Sequence, residues 1–211
     1  MSRIIGKLSR LLRERGPLGL LRQVWSGIAW RAREQWNLRA GVVQIVDADL
    51  ALPVEVIPTK KPMEVRLLRR EDLPNIREHI YPLLTGPLES DRRIFEAMER
   101  GEDRNEEAYV AIMDGKIVHY MMWVQAPKYA GIKLAPDEVF YVCAFTHPDA
   151  RGLGLVQHTT TRSMKLFQER GLRRAVATIH RDNPGMWKAT GNAGFGPVGR
   201  PRSASHTSSS S

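Results

Sequence analysis

Six residues, Arg151-Gly152-Leu153-Gly154-Leu155-Val156, constrain this chain more than any other stretch. They follow a run of strand character, Glu138 to Phe145, and open a run of helical character that reaches Arg170. The first turn of a helix presents N–H groups that have no partner inside the helix. Glycines let an anion approach those donors, and the aligned peptide dipoles favour negative charge there. Arg151 adds a fixed cation whose planar fork suits phosphate oxygens. The expected ligand carries a pyrophosphate and lies across this turn, held by Arg151 and the main chain of Gly152, Leu153, Gly154, Leu155 and Val156. The plainer alternative is a surface arginine beside two turn glycines.

Spacing excludes two familiar nucleotide sites. A Walker loop needs G-x-x-x-x-G-K-[ST], and no strand here is followed by one. A dinucleotide fingerprint needs G-x-G-x-x-G, whereas position 157 is Gln. With 42% hydrophobic and 26% charged residues, the composition is that of a globular protein. The single cysteine, Cys143, excludes an internal disulfide and fits a reducing, cytoplasmic setting. Six scattered histidines and one cysteine make no metal-ligand spacing, so no metal is expected.

The net charge of +9 is concentrated at one end. Residues 1–40 carry nine basic and two acidic residues, a net of +7. Within residues 2–15, Ile4, Ile5, Leu8, Leu11 and Leu12 recur at helical spacing, with Arg and Lys largely on the other side. Gly16-Pro17 breaks the run, and Leu21, Val24, Trp25 and Ile28 form a second stripe. Charges interrupt every window of about twenty residues, which excludes a membrane-spanning helix, and no signal-peptide pattern is present. The segment reads as a helical layer on the rest of the protein, as an anionic-membrane surface helix at the inner face of the membrane, or, less favoured, as a nucleic-acid binder without a recognisable module.

Further along, Val42 to Val46 has strand character. The three prolines within residues 52–62 mark a linker or an edge, and a boundary is set there. Strands are expected over Glu64–Leu68, 107–113, Lys116–Gln125, Glu138–Phe145 and Arg174–His180, with a last one at 195–200. Asp114-Gly115 signals a hairpin turn. Helices are expected from Asp72 to Ile80, from Arg92 to Arg100 capped by Ser90 or Asp91, from Gly154 to Arg170, and from Pro184 to Asn192. Gly131 to Asp137 reads as a loop and Ser203 to Ser211 as a disordered tail. The organisation is then an extension (1–62), a main domain (63–202) and a tail (203–211).

From Thr146 to Phe195 the chain resembles the acyl-CoA-dependent N-acetyltransferase (GNAT) superfamily. That family carries Q/R-x-x-G-x-G/A after its fourth strand, and later an Asn before a helix that ends in Gly-Phe. Arg151 and Gly154 match the first motif, and Asn183 with Gly194-Phe195 matches the second. Val156 departs from the usual Gly or Ala. More loosely, GKIVHYMMWV and THPDARGLGL look like acetyltransferase-type proteins associated with polysaccharide biosynthesis. The resemblance covers about residues 63 to 200. It implies an α/β (α+β) fold: a mixed, mostly antiparallel sheet splayed between its fourth and fifth strands, with helices on both faces. It also implies an acetyl-CoA or other acyl-CoA cosubstrate, whose pantetheine arm adds alongside Ala144, Phe145 and Thr146. Asn183 would touch that arm, with simple helix capping as its alternative. An amide near Ala144 or Phe145 would polarise the thioester.

The acid and base stay open at this level. The tyrosine that many family members place five residues before the Gly-Phe phenylalanine is here Thr190, a poor acid. Four candidates remain: His119, Tyr141, His180 and Glu138, each with a core or rim position as its alternative. Cys143 reads as a small buried hydrophobe. The function expected from the resemblance is direct acyl transfer to an amine on a small-molecule or sugar-type acceptor. Two rivals are a catalytically degenerate acyl-CoA-binding or docking module, and an anionic-surface or nucleic-acid binder acting through residues 1–40. Oligomeric state is left open, a homodimer included.

Overall fold

The computed structural model describes residues 17, 36–37, 40–102 and 105–198. The chain divides into two compact units, residues 1–43 with 130–132, and residues 44–129 with 133–211. In the first, Ala40 N–H donates to Trp36 O at 2.7 Å and Val42 N–H to Asn37 O at 2.9 Å, closing a turn. The expected helices over 2–15 and around 21–28 lie outside the described residues, as does the serine-rich tail. No helix among the described residues is long and apolar enough to cross a membrane.

The second unit is built on a seven-stranded sheet. Its strands are β1 (Val43–Asp49), β2 (Glu64–Leu67), β3 (Glu106–Met113), β4 (Lys116–Val124), β7 (Glu138–Thr146), β8 (Arg174–His180) and β9 (Gly196–Pro197). The short β5 (Lys128–Tyr129) and β6 (Ile132–Lys133) form a separate two-stranded sheet, so the expected loop over 131–137 holds a strand. The main order is β2-β3-β4-β7-β8-β1-β9. Pairing is antiparallel from β2 through β7 and between β1 and β9, and parallel between β7 and β8. Every residue of β4 after Lys116 is buried, the pattern of a strand covered on both faces. Asp114 (φ 51°) and Gly115 (φ 73°) make the two-residue turn that joins β3 to β4.

Among the described residues, four helices cover the sheet: α1 (Leu73–His79), α2 (Glu89–Glu99), α3 (Leu155–Glu169) and α4 (Pro184–Asn192). On one face, Met164 and Phe167 of α3 pack with Tyr109, Met121, Trp123, Tyr141, Ala177 and Ile179, and Met186 and Trp187 of α4 join them. On the other, Ile76 of α1 and Ile94 and Phe95 of α2 pack with Ala108, Val110, Tyr120, Met122 and Phe145. Each such apolar side chain, fully buried, contributes about 1.5–3 kcal/mol. The sequence reading of a mixed, mostly antiparallel sheet with helices on both faces therefore holds.

Three local expectations change. Val43–Asp49 is a strand of the main sheet, beside β8 and β9, and not part of an extension that ends at residue 62. The pattern could place a strand there but not its partners, which arrive more than a hundred residues later. The proline-rich segment 52–62 is no free linker. Ile57 N–H donates to Thr161 Oγ1 at 3.1 Å, the His158 ring lies 2.7 Å from Ile57 O, and Lys60 N–H donates to Leu153 O at 3.1 Å. Its prolines remove some donors, and those that remain dock on α3 and the glycine turn. Finally, α2 starts at Glu89, after Leu88 and with no side-chain cap, so neither Ser90 nor Asp91 caps it.

Candidate active site

The sheet opens where β7 meets β8. Their parallel pairing runs from Glu138↔Arg174 to Tyr141↔Ala177 and stops, while β7 continues to Thr146 and β8 to His180. A cause lies on the other edge of β7. Met122 pairs with Cys143 and Trp123 with Tyr141, which leaves Val142 as an extra residue. Such a bulge bends and twists its strand, turning Val142–Thr146 away from β8 and leaving that edge without a strand partner.

At the end of this edge the chain enters the glycine turn. Gly152 (φ 76°) and Gly154 (φ 81°) occupy left-handed backbone that costs other residues roughly 1–2 kcal/mol. This conformation aims successive N–H groups outward. Among the described residues no carbonyl accepts from the N–H groups of Gly152 through Gln157, and the helix ladder begins with His158 N–H to Gly154 O. Val156 packs its side chain against the α3-face core, which accommodates the departure from Gly or Ala without filling the turn.

A cleft of about 580 Å³ lies over this turn, lined by Thr146, Arg151, Gly152, Gly154, Leu155, Val156 and Gln157, by Gly185, Lys188 and Ala189 of α4, and by Lys60. Arg151 is exposed and spends only its Nε, at 3.4 Å, on Thr146 O. Three cations, Arg151, Lys60 and Lys188, thus surround a row of free amides. This donor set fits a diphosphate. Sequence reading missed Lys60 and Lys188. Lys188 follows Asn183 by five residues on the same helix and was legible as a neighbour. Lys60 was not, because only the docking of residues 57–60 brings it here.

The other candidates separate on inspection. Ala144 is half-buried against the α3-face core, Phe145 stacks on Tyr120 at 5.8 Å, and both lie on the uncovered stretch of β7. Asn183 caps α4, its Oδ1 accepting from Met186 N–H at 3.0 Å. His180 is exposed at the open end of β8, and its carbonyl accepts from Trp187 Nε1 at 3.2 Å. Glu138 sits at the far end of β7, eight residues from Thr146, or ~26 Å at about 3.3 Å per residue. Both its oxygens are engaged, by Arg174 at 2.7 Å and Ala135 N–H at 2.9 Å. His119 is fully buried, with its Nδ1 2.9 Å from Thr146 Oγ1. Burial lowers its pKa to about 3, so the ring is neutral at pH 7 and out of contact with the cleft. Tyr141 adjoins the strand break, but its hydroxyl is buried without a partner and burial raises its pKa. Thr190, at the family's tyrosine position, is buried and donates to Met186 O at 2.8 Å, so its proton is already spent.

The profile of the acetyltransferase (GNAT) family matches residues 70–195. The chain belongs to the acetyltransferase (GNAT) family. Among solved structures it is similar to an acetyltransferase of that family from Colwellia psychrerythraea (TM-score 0.55, 13% identity, 74% of this chain and 52% of that one). It is also similar to AAC(6')-Iy in complex with a bisubstrate analogue, CoA-S-monomethyl-acetylneamine (TM-score 0.53, 18% identity, 68% of this chain and 97% of that one). A third is a GNAT-family protein from Novosphingobium aromaticivorans (TM-score 0.51, 18% identity, 74% of this chain). This chain spans 60% of the length of the Novosphingobium protein and about half that of the Colwellia one. At these identities the likeness is one of fold. No curated protein matches the sequence at a significant level.

Proposed function

We propose that the chain is an acyl-CoA-dependent N-acyltransferase that passes the acyl group, acetyl in the first instance, directly to an amine on a small-molecule or sugar-type acceptor. The observation that carries this reading is the row of unpartnered N–H groups from Gly152 to Gln157, facing a cleft with three cations. Family membership supports the reaction class. The amine acceptor is supported by AAC(6')-Iy, whose bound analogue joins CoA to an acetylated neamine.

Acyl-CoA brings an activated thioester carbonyl, and the rest of the work falls to the chain. Arg151, Lys60, Lys188 and the turn amides hold the diphosphate end. The uncovered edge of β7 from Val142 to Thr146 pairs with an extended arm in the manner of an added strand. Main-chain N–H groups on that edge can polarise the carbonyl. Residues 1–40 would then serve as a basic surface for an acceptor at an anionic membrane, a part of the proposal that stands on charge alone.

Calorimetric titration tests the reading. Acetyl-CoA or a longer acyl-CoA should bind the folded wild-type chain, and the absence of heat with all of them would remove it. Arg151→Ala should weaken acetyl-CoA binding roughly tenfold, about 1.4 kcal/mol, and leave thermal stability unchanged because the side chain is exposed. Unaltered affinity would reject Arg151 as an anchor. The buried Thr190 keeps one rival in view, an acyl-CoA binder without turnover. Acetyl transfer to any amine, lost on site mutation, excludes that rival.

A further inference from the structure

The sheet face under α1 and α2 holds a polar cluster that cofactor binding does not use. Asp91, in the first turn of α2, is only 6% exposed. Its Oδ2 accepts from the Tyr120 hydroxyl of β4 at 2.6 Å, and its Oδ1 from the Ser90 hydroxyl at 3.4 Å. Cys143 of β7 packs against the same cluster as Tyr120. Cys143 and the bulge residue Val142 are both half-buried, and they lie where β8 leaves β7. Across the bulge, the Tyr141 hydroxyl is buried without a partner.

A buried carboxyl is costly unless a cation pairs with it. Asp72 illustrates the usual solution, with Arg66 at 2.6 and 2.8 Å. Asp91 has two hydroxyls instead. Burial raises its pKa, and the bond from Tyr120 pulls part of that rise back. A carboxyl tuned upward in this way is better matched to accepting protons near neutral pH than an ordinary aspartate. Through Tyr120, which pairs with Phe145 and stacks on it, Asp91 lies under the uncovered stretch of β7, where an arm laid along the strand would end.

We propose that Asp91, held by Tyr120 under the uncovered stretch of β7, is the proton acceptor for the incoming amine. The proposal rests on the acyltransferase reading above. In the step, the amine nitrogen bonds to the thioester carbon and gives one proton to the Asp91 carboxylate. The carbon–sulfur bond breaks with its electron pair on sulfur. The thiolate takes a proton from water, and Asp91 returns its own to solvent.

The test uses the full chain, acetyl-CoA and three named amines (neamine, spermidine and an alanine-terminated peptide), with thiol release followed across pH and acetyl-CoA affinity measured by calorimetry. Asp91→Asn should bind acetyl-CoA as the wild type does, lose roughly 100-fold in kcat, and lose the acid limb of the pH–rate profile. Its stability should not fall, since a buried ionisable group has been removed. Tyr120→Phe, which stays informative if the first variant fails to fold, should move the acid limb to higher pH, because the bond that lowers the Asp91 pKa is gone. A merely structural role would lower stability and leave the limb in place. Wild-type turnover in Asp91→Asn, or an unmoved limb in Tyr120→Phe, overturns the proposal and leaves the acyltransferase reading intact. Binding of acetyl-CoA without turnover on any amine overturns the role of Asp91 together with catalysis. No binding at all overturns the reading on which it rests.

Discussion

Trp123→Ala should cost about 3–5 kcal/mol of folding stability, the usual range for deleting a large buried aromatic. Trp123 is completely buried on β4. Its ring meets Tyr141 at 5.1 Å and Phe167 at 5.2 Å, joining the two strands at the bulge to α3. The indole N–H has no partner, so truncation removes packing and no hydrogen bond. The loss is then one of apolar transfer and of a cavity that a sheet covered on both faces cannot close. Urea melts at pH 7 would show a lower midpoint with an unchanged slope. Trp123→Phe should retain most of the stability, because it also deletes the orphan N–H. A loss under ~1 kcal/mol for the alanine variant would mean that the core relaxes around the gap or that Trp123 does not sit at its centre.

A second large effect is expected with acid. The His119 ring titrates near 6.5 in an unfolded chain, and burial takes it down to about 3 in the folded one. Between those values the unfolded chain binds a proton that the folded chain refuses, so stability falls as pH falls. At 1.36 kcal/mol per pH unit the full effect is on the order of 5 kcal/mol. Asp72 works in the same direction at the lower end. The Arg66 guanidinium beside it holds its carboxyl below the usual range. Its contribution is therefore present above the unfolded value of about 3.9 and is lost as pH falls through the folded one. Asp91 opposes both, since its folded pKa is raised and it gains its proton first in the folded state. Urea melts stepped from pH 7 to pH 4 should show the decline, and His119→Asn should flatten it above pH 4. An equally steep decline in that variant would show that His119 is not its source.

The same histidine marks how far sequence reading reached. His119 was a candidate because its ordinary pKa suits acid–base work. Nothing in the sequence says that it faces the covered side of a central strand. The glycine turn was legible because its chemistry is local: a strand, two glycines in left-handed backbone and a helix start are consecutive in the chain. Asp91 was legible in part, since it falls on the same stripe as Ile94 and Phe95, three and four residues on. An acid on the apolar face of a helix is a signal of a buried partner, and the same residue also suits a cap. Tyr120 gave no comparable sign, because strand alternation states which residues share a face and not which partner they meet.

What the sequence determined by itself is most of the elements and the glycine turn, which follow from backbone preference and short-range periodicity, with the mixed sheet implied by the family resemblance. Only the tertiary structure decided that residues 43–49 belong to the sheet, that residues 57–60 deliver Lys60 to the glycine turn, and that Asp91 meets Tyr120. Those contacts join residues from about 30 to about 150 positions apart. They are chosen by how faces and edges fit together once folded, which no local pattern encodes.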